Sequence, residues 1–249
     1  MGWVLDLAAM LQGLPEVRGR APWPGHEYVR GWGVFGLPFD SGHVLALRVF
    51  PENDFAPYRT VWHRNPQGRW AIYVDAPRLD IACPRYYGAA CDRTAHARIR
   101  IEWTSPASLR VRMDAPALEW IVTATDTPLL RVMNAMSARL PMWTWRRSSL
   151  LRARELLASR VLGIGDIRLS GTMPSGHFGT LMPQRMHLVE ESRAVLDGTD
   201  LGRPTRVPLN PRIGEVALPA RGVLAVGQGT WKIRDQAEYE RTRAETAAA

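Results

Sequence analysis

From Gly31 to Thr125 hydrophobic and polar residues follow the period of two expected of strands, in short runs separated by turn residues, which predicts antiparallel β structure. Two hairpins stand out. In TVWHRNPQGRWAIYV, a four-residue turn of Asn65, Pro66, Gln67 and Gly68 sets Arg64 opposite Arg69. His63, Trp70, Val61, Ile72 and Val74 are then read onto one apolar face, with Trp62, Tyr73 and Thr60 on the other. In ARIRIEWTSPASLRVRMD, Ile99, Ile101 and Trp103 alternate with charged residues, as do Leu109, Val111 and Met113. Only an odd loop keeps both apolar sets on one face, and a loop of Ser105, Pro106 and Ala107 also sets Glu102 against Arg110. ALEWIVTAT follows as a strand with Leu118, Trp120 and Val122 in phase.

Two helical segments flank or interrupt this pattern. Trp3, Leu7, Met10, Leu11 and Leu14 recur at helical spacing before Pro15, and residues 16–30 form a Pro- and Gly-rich lead-in loop. At Thr127-Pro128 a capping Thr precedes a first-turn Pro, and helix continues to Leu162, interrupted at Pro141 and ended by Gly163. Strand pattern then resumes through DIRLSGT, QRMHLVEESRAVL and EVALPARGVLAVGQGTWKI, and residues 235–249 read as a frayed helix or tail. Strands on both sides of an insert predict one β domain over residues 26–234, helical at 128–162. Its apolar faces are best buried in a lipocalin-like antiparallel barrel, with an open two-sheet sandwich as the competing architecture.

The composition is that of a globular protein: 46% hydrophobic and 22% charged in 249 residues. The opening MGWVLDLAAMLQGLPE has neither a basic leader nor a small-residue cleavage site, so a cytoplasmic protein is expected. The net charge of +8 is concentrated in the insert, where seven Arg face one acid, Glu155, between Pro128 and Leu162. A helical projection of MWTWRRSSLLRARELLASRVLG groups Trp143, Leu150, Leu151, Leu157, Ala158 and Val161, with arginines flanking the stripe. Trp143, Arg146, Arg147 and Arg152 are therefore candidate contacts with an anionic membrane surface; the alternative is that this stripe packs on the barrel. No zinc finger, RNP-like motif or helix-turn-helix supports nucleic acid as the partner.

The chemistry offered is sparse. The only Lys, Lys232, reads as a strand-end charge; Cys83 and Cys91 are spaced for neither a CxxC redox pair nor a zinc site, and without an export signal two reduced thiols are expected, the alternative being a small-loop disulfide. The six His are not at metal-binding helical spacing, and no P-loop, dinucleotide fingerprint or nucleophile elbow occurs, so no cofactor or metal is expected. Asp40, Ser41 and His43 read as a polar turn. Candidates for acid–base work are His63, with Tyr73 or Asp75 beside it, His177 after a Gly-rich loop, and His187 on a strand, each alternatively a hydrogen-bonded core residue. Trp70, Trp103 and Trp120 are candidate ligand-lining rings in the barrel, or core filling.

The run GWGVFGLPFDSGHVLALRVF, the aromatic hairpin TVWHRNPQGRWAIYV and the RIRIEW, SLRVRMD and LEWIVTA strands together resemble the lipocalin-like carotenoid hydratase and AttH-type proteins over residues 26–125. That resemblance implies a barrel that holds a long hydrophobic molecule, such as an isoprenoid, polyketide or lipid, and hydration, cyclisation or isomerisation by acid–base chemistry. It carries no catalytic motif. A non-catalytic lipid carrier or membrane-surface adaptor is the other expectation.

Overall fold

The computed structural model describes residues 5–247. Its strands are β1 (Val17–Arg18), β2 (His26–Pro38), β3 (Val44–Asn53), β4 (Tyr58–Arg64), β5 (Trp70–Asp75), β6 (Arg93–His96), β7 (Ile99–Ser105), β8 (Ser108–Met113), β9 (Leu118–Thr125), β10 (Ser170–Thr172), β11 (Phe178–Leu196), β12 (Thr199–Asp200), β13 (Arg212–Ile213), β14 (Val216–Ala217) and β15 (Val223–Lys232). The helices are α1 (Leu7–Gln12), α2 (Pro84–Tyr87), α3 (Pro128–Ser137), α4 (Ser148–Leu162) and α5 (Gln236–Glu245).

Ten strands form one curled sheet in the order β6-β5-β4-β3-β2-β15-β11-β9-β8-β7, with β1, β10 and β12 paired beside it. Two expectations are corrected here. The barrel is not closed, because β6 and β7 end the ladder as separate edges, and the sheet is mixed, because β6 runs parallel to β5 and β1 parallel to β3. Side chains bridge the opening where a ladder would otherwise run. Asp75 accepts from the Ile99 amide at 3.0 Å, and the Arg59 guanidinium reaches the Ile99 carbonyl at 3.5 Å.

Alternation divides the sheet into two faces. The inner one gathers Leu45, Leu47, Val61 and Tyr73 from one end with Ile99, Leu109, Val111 and Trp120 from the other, a set that can meet only inside the curl. Leu7 and Leu11 of α1 close this core, and Asp6 caps the helix by accepting from the Ala9 amide at 2.8 Å. Trp3, read as part of the same helix, lies outside the described residues. The outer face carries Ala46, Phe50, Tyr58, Trp62, Trp70, Ile72 and Trp231, covered by α2 and by turns and short strands from residues 164–176 and 205–220.

The β7–β8 register is the one expected, with Glu102 opposite Arg110 and Trp103 opposite Leu109, although the odd residue is a bulge at Thr104 rather than a third loop residue. The β4–β5 register is not. The Asn65 amide donates to the Arg69 carbonyl and the Arg69 amide to Asn65 Oδ1, leaving a three-residue loop of Pro66, Gln67 and Gly68, and Gly68 takes φ +86°. Arg64 therefore opposes Trp70, not Arg69, and the faces change membership. His63 and Val61 share the inner face with Tyr73, while Trp62, Trp70, Ile72 and Val74 belong outside.

The insert begins as expected: Thr127 accepts from the Leu130 amide at 3.2 Å, Pro128 opens α3, and Gly163 ends α4 at φ +61°. The stripe projected for α4 divides. Leu151, Glu155, Ala158 and Leu162 point inward, whereas Leu150, Leu157 and Val161 face out. Residues 236–245 form a docked helix, not a frayed tail, with Tyr239 edge-on to Phe55 at 5.8 Å.

Candidate ligand cavity

The outer face and its cover enclose an apolar cavity of about 100 Å³. Its walls come from Phe35 on β2, Arg48 and Phe50 on β3, Tyr58 and Trp62 on β4 and Trp231 on β15; Cys83, Tyr86 and Tyr87 of the α2 region and residues 164–169 and 216–219 form the cover. Opposed glycines on β2 and β15, Gly31 and Gly227, contribute bare backbone to the floor. Neither could carry a side chain in place, because a Cβ would meet the Val49 carbonyl oxygen at 2.0 Å and that of Met182 at 2.2 Å respectively.

Polar groups in this wall are few and mostly satisfied by one another. Trp62 donates its indole N–H to Thr60 Oγ1 at 3.0 Å, Thr60 Oγ1 lies 3.4 Å from Cys83 Sγ, and Cys83 Sγ lies 3.9 Å from Tyr58 Oη. Burial pushes both the Cys83 thiol and the Tyr58 phenol above their ordinary values, so both stay protonated and neutral. Arg48 is the exception in charge. Its side chain folds over the sheet between Gly33 and Thr60, its register partners, and donates to the main-chain carbonyls of Val34 at 2.7 Å, Leu47 at 3.0 Å and Phe35 at 3.4 Å. The guanidinium carbon sits 3.8 Å from the Phe35 ring centroid and 4.9 Å from that of Trp62. Burial pulls its pKa down to about 10, which leaves it charged at neutral pH.

Beyond the cover lies the helical insert. A second apolar space of about 150 Å³ runs between α3, α4 and β11, and Ile167, Leu169, Pro183 and Met186 line both it and the cavity. One layer of apolar side chains is therefore the common wall. On the outward side of the insert apolar residues lie open to solvent: of twelve exposed large hydrophobic residues among those described, nine fall between Leu129 and Val161, including Val132, Met136, Trp143 and Leu157. The insert's one acid is turned away from them. Glu155 is buried, accepts from the Leu169 amide at 2.7 Å and pairs with Arg168 at 3.5 Å. Arg146, Arg147 and Arg152 remain exposed around the apolar surface.

The residues singled out from sequence do not converge on one centre. His63 is half-buried at the inner-face rim, where its Nε2 meets Nδ1 of His43 at 2.8 Å and the rings stack at 5.1 Å. Burial first, and then the neighbouring imidazole, lower its pKa to about 4; burial also lowers that of His43. Tyr73 lies diagonally from it on the same face, its pKa raised by burial. His43 thus turns toward His63, while Ser41 Oγ donates to the Leu201 carbonyl at 2.6 Å, so the Asp40-Ser41-His43 run forms a turn and no nucleophile–base pair.

His177 belongs to a buried strut on the outer face. Arg85 makes two hydrogen bonds to Glu27 at 2.7 and 2.8 Å, Tyr86 donates to the same carboxylate at 2.5 Å, and His177 Nε2 lies 3.9 Å from it. The carboxylate so engaged ties β2 to α2 and leaves His177 held by Ser175 Oγ at 2.8 Å. His187 is on the inner side of β11 and pairs through Nδ1 with Asp126 at 2.7 Å, its buried Nε2 without a partner. This pair borders a cleft beside α1 and α3, on the other face of β11 from Met186, which lines the apolar cavity.

Among the tryptophans, Trp103 and Trp120 are on the inner face, and Trp70 is on the outer one, donating to the Arg212 carbonyl at 2.6 Å. None of the three lines the cavity; Trp62 and Trp231 do. Inside the curl, Trp120 and Leu109 are fully buried. One signal for this cavity was present in the sequence: Arg48 is the sole charge in the apolar run VLALRVF. Cys83 and Cys91 are free. Among the described residues no cluster of His, Cys, Asp or Glu is arranged to hold a metal, and no helix is long and apolar enough to cross a membrane. No protein-family model, no curated protein and no solved structure matches this chain.

Proposed function

We propose that this protein binds an apolar small molecule between the outer face of its sheet and the overlying turns, and exchanges it at an anionic membrane surface on which α3 and α4 dock. The observation that carries this reading is the common wall of Ile167, Leu169, Pro183 and Met186 between the enclosed cavity and the groove under the insert. A hydrophobic ligand leaving the cavity there would emerge among Met136, Leu140 and Leu157 without crossing water. The surface around that exit has the composition of an interfacial helix pair. Apolar residues at i, i+3 and i+7 on α3 (Leu129, Val132, Met136) and Trp143 beyond it would enter the headgroup boundary, and the exposed arginines would meet lipid phosphates. A lipid, isoprenoid or polyketide is the ligand class implied by the resemblance of the strands to the carotenoid hydratase-like proteins.

Co-sedimentation with vesicles tests the docking. The protein is expected to bind vesicles rich in phosphatidylglycerol, to lose binding as salt rises, and to bind phosphatidylcholine vesicles less well. Replacing Arg146, Arg147 and Arg152 together with Glu removes three attractive charges worth about 1 kcal/mol each near such a surface and adds three repulsive ones, and should weaken binding by at least about a hundredfold. Absence of anionic-vesicle binding by the unaltered protein overturns the docking.

A further inference from the structure

The ligand cavity contains a charge that the fold itself does not neutralise. Arg48 occupies the centre of β3, six per cent exposed, with apolar neighbours along the strand. Two other buried charged groups are compensated: Glu27 has Arg85 and Tyr86, and Glu155 has Arg168 and the Leu169 amide. Asp54, raised to about 6 by burial and with neither oxygen hydrogen-bonded, is also uncompensated, but it does not line this cavity. Arg48 has only carbonyl dipoles and the faces of Phe35 and Trp62. A guanidinium carries five N–H donors, and three find main-chain acceptors here, leaving the others without a protein partner. An ion held from water in this way costs several kcal/mol, and the positive potential it creates falls on the adjoining cavity.

We propose that the cavity's ligand is a monocarboxylate, whose head group pairs with the Arg48 guanidinium while its apolar tail lies along Phe50, Trp62 and the cover. This inference rests on the ligand-binding reading above and specifies its chemistry. A planar carboxylate matches the free edge of a guanidinium and is neutralised by one positive charge. A phosphate dianion would retain charge and unpaired oxygens among apolar walls, since the other arginine of the lining, Arg168, is already paired with Glu155. The enclosed space suits a single ring or short chain; a longer tail would extend past Ile167 and Leu169 into the groove under the insert.

The test uses the full chain, stripped of lipid, with decanoate, methyl decanoate and decanol as probes, followed by calorimetry and by Trp fluorescence. Decanoate is expected to bind about tenfold or more tightly than either neutral probe, the size of one charge-assisted interaction. Arg48→Met should abolish that preference while retaining the neutral probes. A second measurement needs no variant: the 13C resonance of carboxyl-labelled decanoate, when bound, should stay that of the anion below the pH at which free decanoate protonates. Equal binding of acid and ester by the unaltered protein, or titration of the bound carboxyl at its free value, overturns the head-group assignment and leaves a cavity for neutral ligands. Failure of all three probes to bind overturns the cavity reading together with it.

Discussion

Inside the curl, Leu47, Val61, Trp120 and Leu224 are sealed mainly by side chains that arrive on other strands of the same sheet, with α1 at one end; outside it, Arg48, Trp62 and Trp231 are sealed by a four-residue helix, by turns and by the two-residue strands of the β13–β14 hairpin. The two coverings differ in what they permit. Strands bring an apolar side chain every second residue at fixed spacing, so opposed strands can interlock to the density of a crystal. Turns are constrained by their own backbone hydrogen bonds, as where the Leu218 amide donates to the Pro211 carbonyl at 2.8 Å, and their side chains reach the sheet only at intervals. Space and a lone charge persist on the face that turns cover. A closed barrel, the expectation from strand pattern, would hold a ligand inside the curl, yet that side gathers the largest apolar cluster and the apolar cavity is behind it.

The contrast is broken most directly at Trp120, which is fully buried and donates to Ser192 Oγ at 2.9 Å. Trp120→Ala should lower the unfolding free energy by about 3–5 kcal/mol, measured by urea denaturation, because the interlocked inner core has little freedom to collapse. A loss well under that range would mean that the inner face is as loosely filled as the outer.

A smaller effect is expected from acid. The folded-state pKa of His63 lies below its unfolded value, and that of His43 is shifted in the same direction, so between about pH 6.5 and 4 the unfolded chain binds more protons. Stability should therefore be full above that window and fall as pH drops through it, by on the order of 2 kcal/mol from this pair. His63→Gln should flatten the dependence of the urea midpoint on pH between 7 and 4.5. An unchanged dependence would assign the acid sensitivity to other groups.

The smallest effect tests the outer face. Ala225 lines the cavity and is nearly buried, and Ala225→Val adds two methyl groups where space exists. A rise in stability of about 0.5–1 kcal/mol is expected, with weaker binding of an apolar probe. Destabilisation, as small-to-large changes produce in a filled core, would show that the outer face has no usable space.

How far the chain can be read without its fold varies from element to element. The β7–β8 hairpin was legible, because Glu102 and Arg110 and two apolar triplets all favour one pairing. So were the limits of the insert, because Thr127, Pro128 and Gly163 act on backbone groups next to them. In the β4–β5 hairpin either turn length leaves an apolar face, and the Asn65–Arg69 closing pair, held by one main-chain bond and one to the Asn65 side chain, moved Trp70 to the other side of the sheet from His63. Local chemistry thus determined strands, helices, caps and the charge of the insert. Closure of the sheet, the side on which Arg48 is buried and the wall shared by cavity and groove depend on contacts between segments up to two hundred residues apart, such as the β2–β15 pairing, and alternation along one strand is silent about which of its two faces will meet a strand and which a turn.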